Sequence, residues 1–517
     1  MAITNINEYV LSAAARYPNK LAVEDDLTSL NYQDLVRRSA LLSNELVRAG
    51  LKKNIPVIIL IPKSCEAVIG IVATIFSGGV YVPVDVTSPI ERLKSVFKQL
   101  GDAFVACTDA TIMKARELVE NENKIICLNT VSNGKGLKED MLTLMDRVRE
   151  RTKQVIDQDP CYVIFTSGST GVPKGVTIAH RSVIDYIEWA KSEYPVNNSH
   201  RLANQAPFYF DNSTLDLYLT FSTGASLHLP QDKVYAFPKL ALDYLSQRNI
   251  STIFWVPSVL VSIANSGLLE KMPPKALKHV LFAGEQMPVP QINTWIRALP
   301  GVLFSNLYGP TEVTVDCTAY TFYEPYEGDI LPIGHACRNT DVLIINDLGV
   351  ECVENEIGEL YVRGSSLSLG YWNDKGKTDS VFIQNPLEKR FRDMVYRTGD
   401  LVRRDKCGCI SFLGRKDSQI KLNGYRIELG EIEAAAARVD GVARSAAILD
   451  GRRRLIVLFV EIMEGFEFDL VKIRRELGQL IPKYMLPGEV VSIPAFELNQ
   501  NGKIDRMKLG KTLEEKS

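Results

Sequence analysis

The 517-residue chain carries 60 Lys and Arg against 62 Asp and Glu, a formal net charge of -2, with 46% hydrophobic and 24% charged residues. That balance excludes a protein that works as a polycation on nucleic acid or on an acidic membrane surface. The length exceeds one ordinary hydrophobic core, so two or three subdomains are expected. Met1-Ala2-Ile3-Thr4-Asn5 has neither a basic start nor an apolar core behind it, and the apolar run from Pro56 to Pro62 is too short for a bilayer; a cytoplasmic protein is expected. The nine cysteines are scattered, and their one close pair, Cys407 and Cys409, has no second pair to complete a zinc site, so they read as reduced thiols.

In chain order, Val57 to Ile61 reads as a strand, Cys65 to Phe76 as a helix and Gly78 to Asp85 as a turn into a second strand. Such alternation predicts βαβ units and parallel sheets. The polar segment Asn129 to Asp140 reads as a surface loop. The apolar run Tyr162 to Phe165 then delivers the backbone into Thr166-Ser167-Gly168-Ser169-Thr170-Gly171-Val172-Pro173-Lys174-Gly175. Glycines that admit an anion to the main chain, hydroxyl donors and a lysine together make a phosphate cradle, and the spacing is not that of a Walker loop.

Short apolar runs follow at Leu202 to Phe210, Leu227 to Leu229, Ile253 to Val256 and Val280 to Ala283, suiting a second parallel sheet. From Gly358 the texture turns to β segments at Glu359 to Arg363, Val402 to Arg404 and Ile410 to Leu413. Gly414-Arg415-Lys416-Asp417 then reads as a hinge. Beyond it come a helix over Glu428 to Arg438, strands at Ala446 to Leu449 and Leu455 to Val460, and a helix over Val471 to Leu480. The expected fold is α/β: a large N-terminal core of parallel sheets with helices plus a small β subdomain (1–413), a hinge (414–417) and a small mobile α+β lid domain (418–517).

The stretch Cys161 to Gly175 resembles the signature loop of the adenylate-forming superfamily, which holds nonribosomal adenylation domains, acyl-CoA synthetases and luciferases. Further motifs follow in that family's order over nearly the whole chain. Asn306-Leu307-Tyr308-Gly309-Pro310-Thr311-Glu312 is similar to its second nucleotide motif. The resemblance implies that Tyr308 stacks on adenine, Thr311 reaches the α-phosphate and Glu312 holds Mg²⁺, a hard cation suited to carboxylate oxygen. Asn306, Gly309 and Gly284 are implied on the nucleotide side as well. Tyr396-Arg397-Thr398-Gly399-Asp400 resembles the next motif, with Asp400 accepting from ribose hydroxyls and Arg415 beside it. Asn501-Gly502-Lys503-Ile504-Asp505-Arg506 resembles the motif of the catalytic lysine, which implies that Lys503 bridges the substrate carboxylate and ATP; Thr166 and Lys174 complete the catalytic set. Asp417 is implied as the pivot of the lid, and Gly424, in Lys421 to Arg426, as the position that leaves room for a pantetheine arm.

Phe210-Asp211-Asn212-Ser213-Thr214-Leu215 resembles the branch that activates α-amino acids, where the aspartate pairs with the substrate ammonium. The competing reading has Asp211 capping the following helix. Carried across by spacing, the pocket is Asp211, Asn212, Leu215, Trp255, Leu281, Ala283, Leu307, Val315 and Asp316, closed by Lys503. The large Trp255 implies a shallow pocket, and the aliphatic set resembles enzymes that load proline. Asp316 departs from that set and favours a substrate donor such as a serine hydroxyl or a short side-chain amine, unless a protein neighbour satisfies it. Asn204 to Phe208 and Asp216-Leu217-Tyr218 are similar to D-alanine:carrier-protein ligases, from which Ala283 departs. The resemblance implies ATP- and Mg²⁺-dependent activation of a small amino acid, proline-like or small polar, with pyrophosphate release and transfer to the phosphopantetheine thiol of a separate carrier protein. The alternatives are a D-alanine:carrier-protein ligase, an acyl-CoA ligase, against which Asp211 counts, and a non-catalytic binding module, which would have lost motif residues.

Overall fold

The computed structural model describes residues 3–129, 141–168, 172–417, 419–497 and 504–515. These divide into two compact units, one of residues 1–86, 100–164 and 175–416, the other of 87–99, 165–174 and 417–517.

In the first unit, Pro56–Leu60 is apolar at every position and buried throughout, as a central parallel strand must be when both its faces are covered. It lies in a six-stranded sheet ordered Ile125–Cys127, Phe104–Cys107, Pro56–Leu60, Val80–Pro83, Pro160–Thr166, Lys174–Ala179. Apart from Glu66 in its first turn and the buried Thr74, the helix Cys65–Phe76 is apolar, and only Glu66 is not buried, the pattern of a helix with almost no face left for water. Ser64 caps it, its hydroxyl accepting from the Ala67 N–H at 3.3 Å.

The second sheet has nine strands: His335–Ala336, Thr318–Phe322, Leu303–Tyr308, His279–Ala283, Thr252–Trp255, Arg201–Asn204, Ser226–His228, Leu21–Glu24, Ser29–Asn31. Pairing is parallel from Leu303–Tyr308 to Leu21–Glu24 and antiparallel toward both edges. The strand expected over Leu202 to Phe210 stops at Asn204; past it, Pro207 offers no N–H to a ladder, and its carbonyl accepts from the Phe210 N–H at 2.9 Å to close a turn. A five-stranded antiparallel sheet follows, in which Met394–Arg404 pairs with Ile357–Gly364, Phe382–Gln384 and Ile410–Arg415.

The second unit holds the hairpin Gln419–Leu422 with Tyr425–Glu428 and the sheet Val442–Asp450, Leu455–Ile462, Glu489–Ile493. Helices Leu429–Ala436 and Leu470–Leu480 supply Ile432, Ala436 and Leu477 to one core with Leu458. The boundary between the units falls after Lys416, inside the segment 414–417. Arg415 pairs with Asp400, and Lys416 reaches Asp347 at 2.9 Å and Glu359 at 3.2 Å, which ties 415–416 to the five-stranded sheet. Segments 87–99 and 165–174, expected within the first 413 residues, group instead with the C-terminal third. Most of the polar segment 129–140 lies outside the described residues.

Candidate active site

The strand Pro160–Thr166 is buried at Cys161, Tyr162, Val163 and Ile164 and carries the chain to Ser167 and Gly168. Ser169, Thr170, Gly171 and Lys503 lie outside the described residues. Within the second unit Ser167 and Gly168 of this loop are engaged. Ser167 Oγ donates to the Arg426 carbonyl at 2.9 Å and accepts from the Glu428 N–H at 3.2 Å. The Gly168 N–H donates to Glu431 Oε2 at 3.2 Å, and Arg92 pairs with the same carboxylate. Burial raises the Glu431 carboxyl above its ordinary range while Arg92 pulls it back. Thr166 Oγ1 is different: it is buried and has no hydrogen-bond partner among the described residues, which is unusual for a buried hydroxyl and suits a group waiting for a ligand. Lys174 is buried.

In the first unit, the residues expected around the nucleoside come together at the ends of two sheets. Tyr308 ends the strand Leu303–Tyr308, and its hydroxyl donates to Asp400 Oδ2. Arg415 faces Asp400 across the antiparallel ladder and donates to Oδ1, with a second bond to the Thr398 carbonyl at 3.2 Å. Asp400 is nearly buried, and both its oxygens already have protein donors. Beside it, Tyr308 lies 6.1 Å from the Phe412 ring. Asn306 is spent on structure, its amide donating to the Pro332 carbonyl at 2.7 Å. Gly284, at φ +95°, follows the strand His279–Ala283 with nothing within 4 Å of where a Cβ would sit.

Thr311 is buried at the start of a short 3-10 turn, next to Glu312. Glu312 is 0% exposed, and Tyr371 donates to its Oε1 at 2.8 Å. It is therefore no solvated surface acid. Among the described residues no group of three or more His, Cys, Asp and Glu could cage a metal. A single carboxylate fits Mg²⁺ when the other ligands are water and substrate phosphates, the usual arrangement for that ion. All nine cysteines are free thiols, five of them buried.

The residues expected to line the acid pocket sort by strand parity. Partners in a parallel ladder share a face, and alternate residues of a strand share a face. Phe254 pairs with Leu281, and Ala283 with Leu307, so Phe254, Leu281, Ala283 and Leu307 point to one side, where they join Leu215 and Val315 in one apolar cluster. Trp255 pairs with Phe282 and points the other way, into a cluster with Ala203, Ile253, Val280 and Phe304. Its indole donates to the Ala203 carbonyl at 2.9 Å, and its ring meets Tyr235 edge-on. The expected placement of Trp255 beside Leu281 and Ala283 is thus corrected: Phe254 shares their face, and Trp255 is core on the opposite one. The shallow pocket read from the bulk of Trp255 loses that support.

Asp211 and Asn212 are half-buried ahead of the helix Ser213–Thr223, with Leu215 buried within it. Asn212 holds the N-cap position of that helix with no side-chain cap bond, and Asp211 stands one residue outside it. The Tyr162 hydroxyl, close enough to Asp211 to feel its charge, accepts from Thr214 at 3.3 Å.

Val315 and Asp316 are presented by a strained turn. Thr314 and Val315 both have positive φ, 62° and 70°, a conformation that β-branched residues rarely adopt. Gly309 makes this possible, because a Cβ there would lie 2.6 Å from Asp316 Cα and 3.0 Å from Cys317 N. Asp316, expected to seek a substrate donor unless a neighbour satisfies it, has such a neighbour: the Tyr186 hydroxyl donates to Oδ2 at 2.6 Å, with both residues buried.

In the second unit, Asp417 accepts from the Gln419 N–H at 3.2 Å. Asn423 and Gly424, φ 52° and 82°, form the two-residue tip of the hairpin, which needs left-handed backbone at both positions. Gly424 thus has a backbone reason to be glycine, separate from any need for space. Several residues of the first unit were not anticipated: Phe254, Tyr186, Tyr371, and a buried polar group under the helix Ser213–Thr223. In that group Asn204 Nδ2 donates to Asp216 at 2.8 Å, and Lys63 reaches the Gln205 carbonyl at 3.1 Å.

Residues 10–372 match the AMP-binding enzyme family. The chain is 31% identical to an L-proline--[L-prolyl-carrier protein] ligase of Pseudomonas fluorescens, over 98% of this chain and 99% of that one. It is 31% identical to a protein of the same description from Streptomyces coelicolor, over 93% and 92%. Its fold is that of the Vibrio cholerae adenylation domain AlmE, solved with glycyl-adenosine-5'-phosphate, with a TM-score of 0.81 at 21% identity, covering 100% of this chain and 98% of that one.

Proposed function

The chain belongs to the AMP-binding enzymes, and from that premise we propose that it uses ATP and Mg²⁺ to activate a small apolar amino acid of proline's size as its aminoacyl-adenylate, then passes it to the phosphopantetheine thiol of a separate carrier protein. The single observation that carries this reading is the pairing of a half-exposed acid, Asp211, with an apolar wall of Leu215, Phe254, Leu281, Ala283, Leu307 and Val315. An anion at the mouth suits an ammonium group, and the wall suits an uncharged side chain. Both proline-ligase relatives span nearly the whole chain, which supports the same substrate class.

In the first half-reaction a carboxylate oxygen of the amino acid attacks the α-phosphorus of ATP, the bond from that phosphorus to the bridging oxygen breaks, and pyrophosphate leaves. Asp211 holds the ammonium and the wall fixes the side chain, so that the carboxylate is oriented for attack. Tyr308 offers a flat face to the base, and Asp400, oriented by Arg415, accepts from the ribose hydroxyls. The unpartnered Thr166 hydroxyl and Lys174 donate to the phosphates, Thr311 to the α-phosphate, and Lys503 to the charge developing between carboxylate and phosphate. Mg²⁺, held through Glu312, would neutralise phosphate charge. In the second half-reaction the thiol sulfur attacks the acyl carbon, its proton is lost and AMP departs, with Asp417 as the pivot of the lid and Gly424 leaving room for the pantetheine arm.

The test is ATP–pyrophosphate exchange across the proteinogenic amino acids, D-alanine and a set of fatty and aryl acids. Exchange driven by proline or a neutral amino acid of its size is the expected result. Exchange driven only by fatty or aryl acids would overturn the amino-acid assignment in favour of an acyl-CoA ligase.

A further inference from the structure

An acid in the wall of an otherwise apolar pocket ordinarily selects for a substrate donor, because a buried carboxylate without hydrogen bonds is costly. Asp316 is such an acid: it is 2% exposed and directly follows Val315 of the apolar wall. It already receives the Tyr186 hydroxyl at 2.6 Å, the short length of a charge-assisted bond. Tyr186 sits on the helix His180–Glu193 and belongs to the same apolar cluster as the wall. Its ring stacks on Trp189 at 5.7 Å between centroids, Trp189 meets Tyr194 edge-on, and the Tyr194 hydroxyl is bonded to Ser305 at 2.9 Å. The phenol is therefore fixed in place. Burial and the neighbouring Asp316 charge both push its pKa well above the ordinary value, so it keeps its proton and remains a donor.

We propose that Tyr186 is a specificity-determining positioning residue: by taking the Asp316 carboxylate it withholds that acid from the substrate and turns the pocket toward small uncharged apolar side chains, away from short side chains that end in a hydroxyl or an amine. This deepens the amino-acid activation reading and rests on it. A phenol at that point does what a substrate donor would otherwise do, and its removal takes from Asp316 Oδ2 a hydrogen bond that a donor-bearing substrate can restore. Preference follows from that difference, since a site that has lost a buried hydrogen bond disfavours the apolar ligand that cannot restore it.

The experiment measures kcat/KM for ATP–pyrophosphate exchange with proline, alanine, serine and 2,3-diaminopropionate, on the full chain and on Tyr186→Phe, Asp316→Asn and Tyr186→Phe/Asp316→Leu. Tyr186→Phe is expected to raise the ratio of serine or 2,3-diaminopropionate over proline by about tenfold or more. Asp316→Asn keeps an acceptor for the phenol without the charge and is expected to retain the original preference. The double variant removes donor and acceptor together and is expected to retain it as well; because an apolar pair can replace a buried polar one, it also serves if Tyr186→Phe does not fold. A uniform loss across all four amino acids in Tyr186→Phe, or a double variant that favours serine, overturns the proposal while leaving amino-acid activation in place. A wild-type chain that turns over no amino acid and accepts an aryl or fatty acid instead overturns the parent reading, and this one with it.

Discussion

The opposite orientations of Phe254 and Trp255 separate two effects that neighbouring aromatic residues usually confound. Phe254 lies on the apolar wall with Leu281 and Ala283, whereas Trp255 is 0% exposed on the other face of the sheet and bonded to the Ala203 carbonyl at 2.9 Å. Replacing Phe254 with Leu trades a flat ring for a branched chain at the wall and is expected to cost about 1–2 kcal/mol of stability. Its larger effect falls on choice of substrate: a change of one or two methylenes in pocket shape is worth about 1–3 kcal/mol, or roughly 10–200-fold in discrimination. Replacing Trp255 with Phe removes the indole N–H from a buried carbonyl and leaves a void beside Tyr235, together about 2–4 kcal/mol, with no change at the wall. The assay pairs urea unfolding with exchange kinetics on proline and leucine. Phe254→Leu is expected to shift the leucine-to-proline ratio at least about tenfold with a modest loss of stability, and Trp255→Phe to lose stability at a constant ratio. The reverse pattern, selectivity moving with Trp255 and not with Phe254, would refute the strand-parity argument.

Two other perturbations follow from the geometry. Gly309→Ala puts a methyl 2.6 Å from Asp316 Cα and 3.0 Å from Cys317 N, which are backbone atoms that cannot rotate aside; thermal unfolding should register a loss of about 1–3 kcal/mol, and kcat/KM with proline should fall at least about tenfold as Val315 is displaced, while an unchanged variant would mean that the turn yields freely. Asp216, fully buried, has its carboxyl raised from 3.8 to about 8 by burial, with the Asn204 amide and Lys63 pulling the other way. Its folded pKa lies above its unfolded one, so its contribution to stability is complete below pH about 4 and is lost as pH climbs to about 8. Between pH 5 and 8, Asp216→Asn should therefore gain on the wild-type chain in urea midpoint; parallel profiles would show that Asp216 is ionised throughout.

Much of the fold was legible in alternation alone. The five-residue run at Pro56–Leu60 and the largely apolar helix Cys65–Phe76 declare a parallel strand and a buried helix with no further information. The AMP-binding family was legible because several motifs stand in one order. The side to which a strand residue points was less accessible. Trp255 and Phe254 are equally apolar neighbours, and only the register against Leu281 and Phe282 decides which of them meets the pocket. The Asp316–Tyr186 bond joins residues 130 positions apart, and no local pattern announces such a pairing. The Asn423-Gly424 tip, by contrast, was an unread signal: Asn-Gly between two apolar-bearing runs is the strongest short hairpin cue a sequence offers.

The bond from the Gly168 amide to Glu431 makes this loop a place of competition. One N–H serves one strong acceptor at a time, so an anion that takes this amide must evict a carboxylate tethered to the same unit, whose effective concentration does not fall on dilution. Reciprocity is then obligatory: whatever the tether subtracts from the affinity of the anion, the anion subtracts by the same factor from the hold on Glu431.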